Sequence, residues 1–74
     1  YVRQKRYGAA ISAFREAARL EPQNAGVWSN LGAALAITGD LPDAITAFER
    51  ALEINPDEET SRRNLARAKA HLGQ

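Results

Sequence analysis

Residues 25–58 read AGVWSNLGAALAITGDLPDAITAFERALEINPDE, and this stretch is echoed on either side of itself at a fixed offset. Thirty-four positions separate Ala10 from Ala44, Ile11 from Ile45, Phe14 from Phe48, Ala17 from Ala51, Pro22 from Pro56 and Leu31 from Leu65. A fixed period of this length marks stacked supersecondary units, because one such unit cannot bury its apolar face alone and shares a continuous core with its neighbours. The expected task of such a chain is to hold a partner rather than to carry out chemistry.

Within each period the pattern is helical. Tyr7, Ala10, Ile11, Phe14, Ala17, Ala18 and Leu20 fall along one helical stripe, which Pro22 stops. A second helix is expected to open at Asn24, whose side chain can accept from a free first-turn amide, and to turn Trp28, Leu31 and Leu35 inward. Gly39 ends it, since a tight turn there favours a residue without a Cβ, and Asp40 is placed to cap the next helix ahead of Pro42 and Asp43. The third helix carries Leu41, Ala44, Ile45, Phe48, Ala51, Leu52 and Ile54 on one face. Its alanines allow close backbone approach where a larger side chain would overpack the crossing. After Asn55 and Pro56, the acidic residues Asp57, Glu58 and Glu59 suit the positive end of a fourth helix reaching about Leu72. No β pattern is visible, so the fold class is all-α. Trp28 is expected to be a buried core residue whose loss unfolds the module.

Composition sets the wider bounds. The 74 residues are 45% apolar and 26% charged, ordinary globular usage that argues against disorder. A domain this small is marginal in stability. The net charge of +1 supplies no strong field for nucleic acid or anionic lipid. No nucleic-acid partner is expected: Arg3, Lys5, Arg6 and the Arg62 to Lys69 cluster lack interleaved aromatics. Apolar runs are too short to span a bilayer, so no membrane insertion is expected. The absence of Cys excludes disulfides and thiol chemistry and leaves the compartment open, a cytoplasmic one being compatible. The chain begins without Met, and its first six residues read as the tail of an earlier helix, so it reads as a segment of a longer array.

The combination of Trp28, Leu31 and Gly32 with Ala44, Phe48, Ala51 and Pro56 resembles the signature of the tetratricopeptide repeat. The resemblance covers the chain as the end of one repeat over residues 1–24, a complete repeat over 25–58, and a first helix over 59–74. It implies antiparallel helix pairs stacked into a right-handed superhelix. Leu35 and Leu41 stand where the family often has Tyr, Lys5 where the turn Gly is usual, and Arg62 in place of Trp28. Arg62, Arg63, Arg67 and Lys69 beside the thin stripe Leu65, Ala68 and Leu72 resemble the polar capping helix that closes such arrays.

The core stripe of the second helix leaves Gly26, Asn30, Ala33 and Ile37 on a separate face, repeated in the fourth helix by Thr60, Asn64, Arg67 and His71. The resemblance assigns this first-helix face to a concave groove for extended peptides or partner helices. The expected groove residues are Gly26, Ser29, Asn30, Ala33, Ile37, Thr60, Arg63, Asn64 and Arg67. A side-chain amide both donates and accepts, so Asn30 and Asn64, one period apart, can bond successive peptide units without reading side chains. The small residues Gly26, Ser29 and Ala33 leave space beside them. The wording Trp28, Asn30, Leu31, Gly32 is similar to the repeats of O-linked sugar transferases, where an Asn ladder lines the superhelix. A carboxylate clamp like that of tetratricopeptide co-chaperones is incomplete here: Asn30 matches its middle Asn, but Thr60 and Asn64 occupy the next Lys and Arg positions. Arg63 and Arg67 can still offer forked donors to a carboxylate, or serve as solvated cap surface.

Catalysis, metal and cofactor binding find no support in the residue inventory. One His, no Cys and scattered Ser residues form no recognisable acid–base or nucleophilic set, and four zinc ligands cannot be assembled. Gly8, Gly26, Gly32, Gly39 and Gly73 are isolated within a helical pattern and form no phosphate loop. The chain is therefore expected to be a non-enzymatic module that binds a protein or peptide. The alternatives are a self-associating scaffold element forming a homo-oligomer through the uncovered face of Tyr7 to Leu20, or an accessory domain of a larger enzyme.

Overall fold

The computed structural model describes the backbone over residues 2–72 and side-chain surroundings over residues 7–72. Its four helices are α1 (Val2–Leu20), α2 (Ala25–Ile37), α3 (Leu41–Ile54) and α4 (Glu59–Leu72), with no strand among the described residues. The expected all-α helical-repeat architecture is the one observed. The packing is most extensive between α2 and α3, followed by α3 with α4 and α1 with α2, while α2 and α4 touch more lightly. The result is a flat body of 35 × 35 × 15 Å.

Local chemistry explains the helix ends. At Asn24 the side chain accepts from the Val27 amide at 3.3 Å, as expected of an N-cap. Gly39 takes φ +88, the left-handed conformation that ends α2 and reverses the chain toward α3. Asp40 departs from expectation: it occupies the N-cap position of α3, yet its side chain makes no capping bond. Its backbone carbonyl accepts from Ala44 at 3.0 Å, and Pro42 in the first turn has no amide to satisfy.

A second departure lies one period upstream of Gly39. Lys5 holds the equivalent position, and there α1 runs unbroken from Val2 to Leu20 instead of ending a short tail and restarting at Tyr7. Lysine favours the helix and resists the left-handed conformation, so nothing at that position forces a turn. The side chains of Arg3, Lys5 and Arg6, and the position of Gly73, lie outside the described residues.

The core is Leu31, Leu35, Ala44, Ala47 and Phe48, with Ile11, Phe14, Trp28, Ala33, Ala36 and Leu65 packed around it. Phe48 and the alanines Ala44 and Ala51 are fully buried. Phe48 presses its ring onto the backbone of α2 at Gly32, where an added Cβ would stand 2.6 Å from the ring. Alanine on α3 and glycine on α2 together permit this close crossing.

Trp28, in contrast, is only half-buried. It lies at the edge of the core, its indole N–H donating to the Pro22 carbonyl at 3.0 Å and its ring facing the Arg50 guanidinium at 5.9 Å. Phe48, not Trp28, is therefore the aromatic on which the core closes. The apolar stripes also end early, since Leu20 and Leu72 are exposed rather than packed.

Candidate functional site

The expected groove residues lie on α2 (Gly26, Ser29, Asn30, Ala33 and Ile37) and α4 (Thr60, Arg63, Asn64 and Arg67), two helices in light contact. Asn30 is exposed on α2 and Asn64 half-buried on α4. Among the described residues neither side-chain amide makes a hydrogen bond, although the side chains of Asn24 and Asn55 do. Asn30 and Asn64 thus keep unengaged side-chain amides, while the loop asparagines are committed to shaping turns.

The remaining expected residues divide. Ile37 and Arg67 come together with His71 around a depression of about 220 Å³, floored by Ala36, Leu41 and Ala68. Ile37 is 61% exposed, as Leu20 and Leu72 are also largely exposed, and it gives the depression an apolar rim. Gly26 lines a larger depression of about 620 Å³ at the opposite end of α2. Thr60 and Arg63 are exposed and line neither depression. Ala33 packs against the core and offers little free surface.

Ser29 requires correction. It is buried to 6% exposure, so it cannot serve as an open small residue beside the asparagines. Its short side chain instead lets the helices approach, the same service that Ser61 performs on α4 at 0% exposure.

Two features of the surface were not legible as sites in the sequence. The larger depression is built from the two interhelical loops, with Glu21 and Asn24 from one and Asn55 and Glu58 from the other. The loops are related by the repeat: Asn24 N–H donates to the Glu21 carbonyl and Glu58 N–H to the Asn55 carbonyl, each at 3.0 Å. The matched pair Pro22 and Pro56 was the available signal. The second feature is a cleft over Trp28, Leu31 and Leu35 between α1 and α3, rimmed by Arg15 and Asp43. Those two charges are 3.9 Å apart and more than half exposed, so their attraction is weak.

Among the described residues no group of three His, Cys, Asp or Glu side chains could hold a metal ion, and no helix is long and apolar enough to cross a membrane.

Comparison with known proteins agrees with the helical-repeat fold. The chain is 34% identical over 67 residues to the peroxisomal targeting signal receptor of Kluyveromyces lactis, covering 90% of this chain and 12% of that protein. The Saccharomyces cerevisiae protein of the same name is also 34% identical over 67 residues, with 90% and 11% covered. Human protein O-mannosyl-transferase TMTC1 is 36% identical over 58 residues, 78% of this chain and 7% of that one. The chain thus spans about a tenth of the length of the receptors it matches. The tetratricopeptide repeat model matches residues 1–59, and with four helices packed at a 34-residue period the chain belongs to the tetratricopeptide repeat family.

Proposed function

We propose that the face shared by α2 and α4 holds an extended peptide, with Asn30 and Asn64 bonding its backbone. Tetratricopeptide repeats are protein-interaction modules, and membership of that family supports a binding rather than a catalytic role for this segment. The observation that carries the finer reading is the state of the two asparagines: both reach solvent, and neither amide is engaged by the protein itself among the described residues. An amide that neither caps a helix nor shapes a turn retains two donors and an acceptor for a ligand's peptide groups. The name of the receptors from Kluyveromyces lactis and Saccharomyces cerevisiae, which refers to a targeting signal, fits a segment that recognises peptide. TMTC1 bears an enzyme's name, so in a longer protein this module is equally compatible with an accessory role beside a catalytic domain.

The test is capture of an unbiased array of extended peptides by the chain and by its Asn30→Ala, Asn64→Ala double variant. Capture by the parent alone, with helicity retained in both, supports the groove. Capture by neither refutes it, and a dimer in sedimentation would then favour self-association.

A further inference from the structure

The two depressions at the ends of the α2–α4 face have opposite electrical character. At the loop end, Glu21 and Glu58 stand beside Gly26, the first member of the exposed α2 stripe. Neither carboxylate has a cation within ion-pair distance among the described residues; Glu21 accepts from the Asn24 amide at 3.0 Å. Asp57 and Glu59 flank Glu58 and are likewise without ion-pair partners among those residues, so negative charge accumulates there. Arg62 and Arg63, in the first turns of α4, do not line this depression, and Arg62 is turned to the Pro56 carbonyl at 2.8 Å.

At the turn end the sign reverses. Ile37, the last member of the α2 stripe, lines one depression with Arg67 and His71, together with the apolar Ala36, Leu41 and Ala68. Arg67 has no carboxylate within ion-pair distance among the described residues, and Asp40, in the turn just after Ile37, does not line the depression. Eight of the other charges pair with one another, Arg15 with Asp43, Arg19 with Glu16, Arg50 with Glu53 and Lys69 with Glu49, while Asp40, Arg62 and Arg63 have no ion-pair partner among the described residues and line neither depression.

From this charge separation we infer that the groove takes a bipolar peptide: a cationic side chain at the Glu21 and Glu58 end, and an aliphatic side chain beside a carboxylate at the Ile37 and Arg67 end. The inference rests on the α2–α4 face being a peptide groove, and it adds the chemistry and spacing of the ligand. Spacing follows from helix geometry. Gly26 and Ile37 are eleven positions apart on one helix, about 16 Å at a rise of about 1.5 Å per residue. An extended chain covers that distance in about five residues. The aliphatic side chain covers Ile37, and the carboxylate meets the forked donors of Arg67. Between the ends, the two asparagines bond backbone without regard to side chain, so the charged ends alone set the selectivity.

The experiment is fluorescence anisotropy of the whole chain with end-blocked, labelled peptides. The parent peptide has one Lys, three Ala, then Leu and Glu. Three relatives replace its Lys by Gln, replace its Glu by Gln, or bring Lys directly against Leu and Glu. Each relative is expected to bind roughly threefold to tenfold more weakly than the parent. Arg67→Gln is expected to weaken the parent peptide while leaving the peptide without Glu unchanged. Glu21→Gln combined with Glu58→Gln is expected to weaken the parent while leaving the peptide without Lys unchanged. Equal binding of all four peptides, lost in the Asn30→Ala, Asn64→Ala variant, would overturn the charge order and leave the groove standing. Binding of none of the four, with capture from the peptide array intact, would likewise overturn it, and failure of the array as well would remove the groove reading itself. The substitutions within the peptides leave the protein's fold untouched, so this result does not depend on any variant's stability.

Discussion

Replacing Gly32 by Ala is expected to destabilise the protein even though alanine is the better helix former. In the interior of an exposed helix this exchange gains about 1 kcal/mol. At Gly32 the added Cβ would stand 2.6 Å from Phe48 Cε1, 2.7 Å from Cδ1 and 3.0 Å from Cζ. Carbon atoms prefer separations of about 3.5–4.0 Å, so the ring must retreat by about an ångström. Phe48 is fully buried and has no solvent side to move into. Overpacking of a tight core costs about 1–3 kcal/mol, and three simultaneous overlaps put this site in the upper half of that range. Subtracting the propensity gain leaves a net loss of about 1–2 kcal/mol, a fall in melting temperature of about 5–15 °C for a domain this size. Gly8→Ala is the internal control, since a Cβ there meets nothing within 4 Å and the helical preference acts alone. Thermal unfolding followed by circular dichroism should therefore move in opposite directions for the two variants. A Gly32→Ala protein as stable as Gly8→Ala would refute the tight crossing of α2 and α3.

Other expectations follow from the same packing. Phe48→Ala should remove about 3–5 kcal/mol, against a total of about 4–11 kcal/mol for a chain of this length, so urea titration should find the variant largely unfolded or close to it. Trp28→Ala should cost less, about 2–3 kcal/mol, because the residue is only partly buried at the edge of the core; retained helicity by circular dichroism checks this, and complete unfolding would restore Trp28 to the centre of the core. Ser61 buries a hydroxyl that has no partner among the described residues, so Ser61→Ala should raise stability by up to about 1 kcal/mol; a lower urea midpoint would mean that the hydroxyl is bonded after all.

The helices and the crossing residues were legible because they depend on side-chain type at fixed spacing. Pro22, Gly39 and Pro56 punctuate the chain by backbone chemistry, and Ala44 and Ala51 declare a close approach by lacking bulk. Depth of burial was less legible. Trp28 looks like the core by size, yet its place is decided by how far α1 and α3 diverge above it, which involves three helices and no local pattern. Ser29 reads as a small exposed residue until α2 and its neighbours close over it. The loop-end depression was hidden for the same reason, since Glu21 and Glu58 lie in separate loops and meet only in the stacked structure.

Arg62 shows what the repeat retains when its most recognisable residue is lost. Its guanidinium donates to the Pro56 carbonyl at 2.8 Å, as the Trp28 indole donates to the Pro22 carbonyl at 3.0 Å, one period earlier. The donor that ties each loop to the following helix survives, while the flat apolar surface does not. The rest of α4 changes in step. Ala66 stands where α2 has Gly32, and Lys69 where α2 has Leu35. A helix docking on α4 as α3 docks on α2 would bring an aromatic ring against the Ala66 Cβ and a buried leucine-sized site against an ammonium. Lys69 instead reaches back to Glu49 on α3 at 4.0 Å, and Arg62, Ala66 and Lys69 are all exposed. The exposed face of α4 that carries Arg62, Ala66 and Lys69 is therefore chemically unsuited to the tight crossing that builds the centre of the module, while the proposed groove side keeps Asn64 and Arg67 in register with Asn30 and Ala33. On this reading packing and the proposed recognition occupy separate faces of one helix, so the first can be relaxed without disturbing the second.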